Sequence, residues 1–415
     1  MHLIRIHPAL QIAGLLVASA IPALSANAPR SGYVGDSICL PCHEQQAKSY
    51  RFTYHHLTSQ PAGKTAGGVD SVLGPFMNGS NVLTIHPLAP GSAQPALFFK
   101  MEEKAGHKSV TAFTGWGGNL FSQTAPLDVV TGSGKRGQTY LYWRGDQLFE
   151  LPVSYWSDGH RWINSPGYTD GTADFSRPVN PGCLECHATY IKAFSSDPFT
   201  NSYDRGSLVT GISCETCHGP GGPHVALHKA LPGATPAAPM SPSKVAASGA
   251  GSPASLLNPA KFSRDRQVDL CALCHNGIQR QALAPAFSYL PGEPLSSYFK
   301  PLPVEPLEHP DVHGNQVGLL QRSRCYTSSP SMNCSTCHDV HAPERPATAY
   351  SDRCLTCHQW QSCGKSKSLG HAIAKNCIDC HMPVEPTNVI VSETAGQMVR
   401  ATMRNHWIKI YPGAK

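Results

Sequence analysis

The sequence predicts a chain of mostly short α-helices and irregular segments, broken by a small antiparallel β-rich insertion. Three observations lead there. Glycine and proline number 37 and 36 of 415 residues, and charged residues make up only 14%, against about 25% in ordinary globular domains. Turns are therefore plentiful and long regular elements few. The pentapeptide C-x-x-C-H occurs seven times, and each copy suits a tight turn beside a short helix. One long stretch without that pentapeptide alternates apolar and polar residues as strands do.

Residues 1–26 read as a secretory signal. Arg5 supplies a basic n-region, Ala9 to Leu24 an apolar h-region, and Ser25, Ala26 and Ala28 small residues for cleavage. An uncleaved membrane anchor is the alternative. The apolar run contains Pro22 and falls short of the ~20 residues that a spanning helix needs. An exported chain, periplasmic or extracellular, is expected.

Sixteen cysteines in such a chain would ordinarily suggest disulfides. Fourteen of them instead fall in the repeated pentapeptide. The copies are Cys39-Cys42-His43, Cys183-Cys186-His187, Cys214-Cys217-His218, Cys271-Cys274-His275, Cys334-Cys337-His338, Cys354-Cys357-His358 and Cys377-Cys380-His381. Zinc ribbons and thioredoxin-like sites also use C-x-x-C, but neither requires histidine next. Histidine is 21 of 415 residues, so its presence at all seven positions is not chance. C-x-x-C-H is the attachment signal of haem c. Two thiols on a tight turn reach the two vinyl groups of one porphyrin, and the next imidazole lies beneath the ring as the proximal iron ligand. The expected fold class is thus a multihaem cytochrome c, its short α-helices and irregular chain wrapped around stacked haems. Seven covalently bound haem c groups (iron) would replace much of the side-chain core, and the apo-chain is expected to be largely unfolded.

The organisation follows the motifs. After the signal, 27–60 carries the first haem segment. Residues 61–180 form the haem-free β-rich insertion. There QTYLYWR, Gly145-Asp146 and QLFELPVSYW read as one hairpin, and ALFFKMEE with KSVTAF as another. Tyr140, Tyr142, Trp143, Phe149, Tyr155 and Trp156 are expected in its core and in its contact with the haem domain. Residues 181–385 form the main haem domain, with an Ala/Pro/Ser/Gly-rich loop at 231–258. Residues 386–415 are a tail carrying one further candidate ligand.

The second axial ligand decides between carrier and enzyme, since an iron closed by histidine on both faces cannot bind substrate. Candidate distal ligands are His55, His56, His224, His228, His313, His341, His371 and His406. His224 and His228 share a helix face. His55 and His56 point apart, so one of them is expected to ligate. His86, His107 and His160 fall in the haem-free stretch and are read as surface or hydrogen-bonded residues. Met332, Met382 and Met403 are weaker ligand candidates, methionine being more often a packing residue. The two leftover cysteines, Cys325 and Cys363, are expected to form a disulfide.

Several stretches resemble one family. They are YVGDSICLPCHEQQAKSYRFTYHH, RPVNPGCLECHATY, GISCETCHGPGGPHV, DVHGNQVGLLQRSRCY, MNCSTCHDVHAP, NCIDCHMP and RNHWI. They are similar to the multihaem c-type cytochromes of the superfamily containing the tetrahaem cytochrome of ammonia oxidisers and hydroxylamine oxidoreductase. The resemblance implies a distal ligand from the His55-His56 pair, and distal roles for His224 and His341. The sequence departs from the family's enzymes. It has no C-x-x-C-K, as nitrite reductases have, and no eighth motif or identifiable cross-linking tyrosine, as hydroxylamine oxidoreductases have.

The expected function is transfer of single electrons through a chain of mostly bis-histidine haems. The alternative is a multihaem oxidoreductase acting on a small nitrogen or sulfur compound at one five-coordinate haem. A storage or structural haem polymer is a third reading. The formal charge of +6 does not imply acidic partners, because the propionates of seven haems would make the holoprotein net negative. Redox proteins, such as a quinol oxidase module or a terminal reductase, are the expected partners. Nucleic acid is not expected, and membrane association is expected only through a partner.

Overall fold

The computed structural model describes residues 32–65, 68–77, 79–230, 256–277, 280–301 and 315–411. The signal segment, most of the 231–258 loop, and His313 lie outside the described residues.

Strands dominate residues 59–164. They are β1 (Ser59–Pro61), β2 (Val82–His86), β3 (Ala96–Lys104), β4 (His107–Trp116), β5 (Asn119–Pro126), β6 (Val129–Thr131), β7 (Gly137–Arg144), β8 (Gln147–Trp156) and β9 (Arg161–Asn164). Two antiparallel sheets result, in the orders β2-β3-β4-β5 and β1-β6-β7-β8-β9. QTYLYWR and QLFELPVSYW pair as β7 and β8, with Gly145 at φ 64 opening the turn. ALFFKMEE and KSVTAF pair within β3 and β4. That turn uses Ala105 and Gly106 at φ 51 and 80, the two positive angles of a type I′ turn.

The pleat sends alternate residues to opposite faces. Phe99 and Met101 of β3, Val110 of β4, Tyr140 and Tyr142 of β7, and Leu151 and Val153 of β8 share one core. On the other face of β7 and β8, Leu141 and Leu148 pack with Val179, Leu184, Tyr190 and Tyr203. Trp143 packs against that second cluster, and Trp156 joins Ile163, Val399 and Ala401 in a third. The β unit is therefore clamped to the segment that follows the second motif and to the C-terminal hairpin.

The expectation of mostly short α-helices and irregular chain is corrected here: the chain is built on five antiparallel sheets. Strands are not confined to the insertion. β10 (Ala188–Ala193) pairs β11 (Tyr203–Thr210), β12 (Arg280–Ala282) pairs β13 (Phe299–Pro301), and β14 (Val384–Thr394) pairs β15 (Gln397–Arg404). The physical reason lies in the backbone. Segments between motifs must satisfy their own N–H and C=O groups, and a hairpin does so without the length that a stable helix requires. Helices are short. The helix Arg264–His275 has 12 residues, and Val268, Ala272 and Leu273 on its inner face form a small core with Tyr289, Leu295, Tyr298 and Phe299.

The described residues include all sixteen cysteines, and each is a free thiol, Cys325 and Cys363 among them. Cys325 lies close enough to Cys337 and Cys354 to push up the pKa of both thiols, burial being the larger cause.

Candidate haem cavity and metal centres

Each motif sits on a helical turn. The first begins where the helix Asp36–Cys39 ends, and the third is the helix Cys214–His218. The fourth is the last turn of Arg264–His275, and the sixth starts at the end of Ala347–Cys354. The seventh is the helix Cys377–His381. Backbone N–H groups of His43, His338 and His358 donate to the carbonyls of Cys39, Cys334 and Cys354 at 3.0, 2.9 and 2.9 Å. That i→i+4 bond places the first cysteine and the histidine on one face. Caps fix where the turns begin. Ser213 accepts from the N–H of Glu215, and Asn333 and Thr336 form a reciprocal capping box at the fifth motif.

All fourteen motif cysteines and all seven motif histidines line one continuous cavity of about 5310 Å³. A drug-sized ligand needs roughly 300–1,000 Å³, so this space takes several large groups. Its walls join neighbouring motifs. The Cys39 thiol lies beside that of Cys214, Cys271 beside Cys334, and Cys354 beside Cys377. Motif one therefore meets three, four meets five, and six meets seven.

Four motif histidines each face an imidazole from elsewhere in the chain. Ring centres lie 6.3 Å apart for His43 and His224, and 6.0 Å for His275 and His55. They lie 6.1 Å apart for His218 and His341, and 6.2 Å for His338 and His406. A hydrogen bond or stack would bring the rings closer. Two metal–nitrogen bonds of about 2 Å each, plus half of each ring, require about 6 Å. Interplanar angles range from 22° to 73°. Rotation about the shared axis does not affect ligation.

The outward ring nitrogens are anchored. Nδ1 of His218 donates to the Leu257 carbonyl at 2.7 Å, His381 to Lys409 at 2.9 Å and His406 to Arg404 at 3.0 Å. Nδ1 of His187 lies 3.3 Å from the Thr58 hydroxyl. An anchored Nδ1–H leaves Nε2 as the lone-pair nitrogen, the usual arrangement behind a metal-bound imidazole. His55, His275 and His338 are solvent-accessible yet deep inside the molecule, because the space they face is the cavity. Burial pushes His275 and His406 down to about 4 and lowers His55, His187 and His338. Each is held neutral, the form that binds iron. Among the described residues no three of His, Cys, Asp and Glu converge on one point as a bare metal ion would need. The donor set thus fits flat iron-bearing rings held by thioethers.

Other candidates sit differently. His56 is turned away, its Nδ1 2.9 Å from Asp36. The His228 ring lies 4.4 Å from His224, too close for a metal between them, and His371 packs edge-on against Trp360 at 5.3 Å. His86 ends β2, His107 begins β4 and His160 turns between β8 and β9. Among the described residues, no second imidazole faces His187, His358 or His381.

Three acidic residues escaped the sequence reading: Glu215 and Glu150, which line the cavity, and Asp36, on the helix that leads into the first motif. None belongs to a recognisable pattern. Glu150 on β8 lines the cavity near Cys183, with Arg177 Nε 3.4 Å away and the Tyr168 hydroxyl donating to its carbonyl oxygen. Burial raises its pKa from 4.5 to about 7, outweighing the guanidinium, which lowers it. The folded chain thus holds this proton more tightly than the unfolded chain. The associated stability is present below pH 4.5 and is lost as pH rises to about 7. Glu150→Gln should match the parent in urea unfolding near pH 4.5 and exceed it by roughly 1–3 kcal/mol at pH 8. Equal stability at both pH values would refute the assignment.

The profile of the family described as Cytochrome c554 and c-prime matches residues 164–219, the stretch holding the second and third motifs. No curated protein and no solved structure matches the chain. The matched stretch is similar to c-type cytochromes, and that likeness carries covalently bound haem, iron and electron transfer at a coarse level.

Proposed function

We propose that the chain is an exported c-type cytochrome with seven covalent haems that passes single electrons along a chain of mostly bis-histidine irons. One observation carries this reading: four motif histidines each face a distant imidazole at 6.0–6.3 Å, the spacing of a metal between two ligands. The imidazole pairs that would hold iron are His43/His224, His275/His55, His218/His341 and His338/His406. When bound, haem supplies the one-electron couple. The chain's residues fix the rest. The motif turns hold neighbouring sites in contact, the anchored Nδ1 atoms orient the rings, and the apolar walls exclude water. No described helix is long and apolar enough to cross a membrane. Redox proteins, such as a quinol oxidase module or a terminal reductase, are the proposed partners, with membrane contact only through them.

The second reading is a multihaem oxidoreductase acting on a small nitrogen or sulfur compound. It draws on His187, His358 and His381, which face no imidazole among the described residues. Carbon monoxide binding to the dithionite-reduced holoprotein separates the two. We expect the Soret band to show at most a minority of reactive irons, and none at the four assigned pairs. Reactivity of most irons would sink the closed-iron reading. A single reactive haem that turns over nitrite, hydroxylamine or sulfite would favour the enzyme.

A further inference from the structure

The first and third motifs are held together by two carboxylates that act reciprocally. Glu215, between the cysteines of the third motif, is 2% exposed. Its Oε1 accepts from the N–H of Val34 at 2.9 Å and of Gly221 at 2.8 Å, and its Oε2 from Gly35 at 2.7 Å. Val34 and Gly35 lead directly into the helix Asp36–Cys39 of the first motif. Asp36, on that helix, reaches back: its Oδ1 accepts from the N–H of Cys214 at 2.8 Å, the residue that opens the third motif. Its Oδ2 lies 2.9 Å from His56 Nδ1. Each motif therefore supplies the acid that grips the other's backbone. The Cys39 and Cys214 thiols lie side by side within the clasp.

The hydrogen bonds also fix the charge on Glu215. Every partner is an N–H donor and both oxygens accept, so neither oxygen carries the proton. No cation forms an ion pair with Glu215 among the described residues. A buried negative charge beside two redox sites favours their oxidised, more positive state, and burial limits screening by salt.

We infer that Glu215 and Asp36 are positioning residues that clasp the first and third haem sites together, and that their charge holds the potentials of those two sites low. This rests on the cytochrome reading above.

The test is a spectropotentiometric titration of the holoprotein as Glu215→Gln, Asp36→Asn and Glu215→Asp. Haem content and low-spin electron paramagnetic resonance signals are measured on each. Gln and Asn keep acceptor oxygens for part of each bond set, so two independent variants guard against one failing to fold. In Glu215→Gln and Asp36→Asn, with full haem loading, two of the titrating components should shift upward. The expected size is a roughly tenfold change in reduced-to-oxidised ratio, about 59 mV for a one-electron couple. Glu215→Asp keeps the charge and should titrate as the parent does. Fully loaded, low-spin neutral variants with unchanged titrations would overturn the inference, leaving the acids purely structural. Failure of the cytochrome reading looks different: the parent itself would carry no covalent haem.

Discussion

Residues 315–411 are expected to be cut rapidly by protease when the chain is made without haem attachment, while the two sheets of residues 59–164 stay protected. The difference follows from where apolar surface is buried. In the sheets Phe99, Met101, Val110, Val130, Tyr140, Leu151 and Val153 are almost wholly buried in one continuous core. Each such side chain contributes about 1.5–3 kcal/mol by burial. In residues 315–411 the buried apolar side chains are few, among them Leu319, Ile373 and Ile378, and the surrounding chain lines a cavity of about 5310 Å³. At about 24 cal/mol per Å³, leaving even a tenth of that volume dry would cost about 13 kcal/mol, as much as a whole domain's stability. Filled with water instead, the walls stay hydrated and gain nothing by burial. Limited proteolysis of apo- and holoprotein, read by mass spectrometry, checks this. Equal protection of both halves in the apo-chain would show that the C-terminal half has a core of its own.

The legible and illegible parts of the site differ in range. Thioether attachment is local chemistry, so five consecutive residues announce each proximal site, and the seven histidines could be named from sequence. The facing imidazoles are chosen by folding. His55 meets His275 and His406 meets His338 across long stretches of chain. His371 follows the sixth motif in sequence, and its ring packs on Trp360. The sheets divided in the same way. β7 and β8 could be read from the apolar and aromatic runs that flank the Gly145-Asp146 turn, although β8 is buried at every position from Leu151 to Trp156. β10 is buried at four consecutive positions, Ala188 to Ile191, so it shows no alternation. In β14 an irregularity between Pro386 and Val391 breaks the period. The turn Ala395-Gly396, with φ 50 and 72, was the remaining signal of that hairpin. Asp36 and Glu215 are single acids that belong to no recognisable pattern, and only the fold shows what they grip.

Replacing His406 by alanine should add one equivalent of carbon monoxide binding per chain and convert one low-spin iron to high spin. His406 faces His338 at 6.2 Å with nearly parallel rings, so its loss leaves the fifth site with one axial ligand. The surrounding segment has holds beyond the bond from the imidazole to the Arg404 carbonyl. Asn405 N–H donates to the Pro383 carbonyl, the Ser323 hydroxyl donates to the His406 carbonyl at 3.1 Å, and Ile408 N–H donates to that hydroxyl at 2.7 Å. Trp407 is packed by the cations of Arg322 and Lys409, at 3.7 and 3.4 Å from its ring centre. Such contacts contribute about 0.5–2 kcal/mol each, so the backbone should hold and the change stay confined to one iron. The potential of that site should rise, because an imidazole donor that favours the oxidised state is removed. His371→Ala is the control and should leave carbon monoxide binding unchanged, since His371 packs on Trp360 and faces no motif histidine among the described residues. If His371→Ala opens an iron and His406→Ala does not, the axial assignments are wrong, and the four ring pairs reflect packing around the cavity rather than ligation.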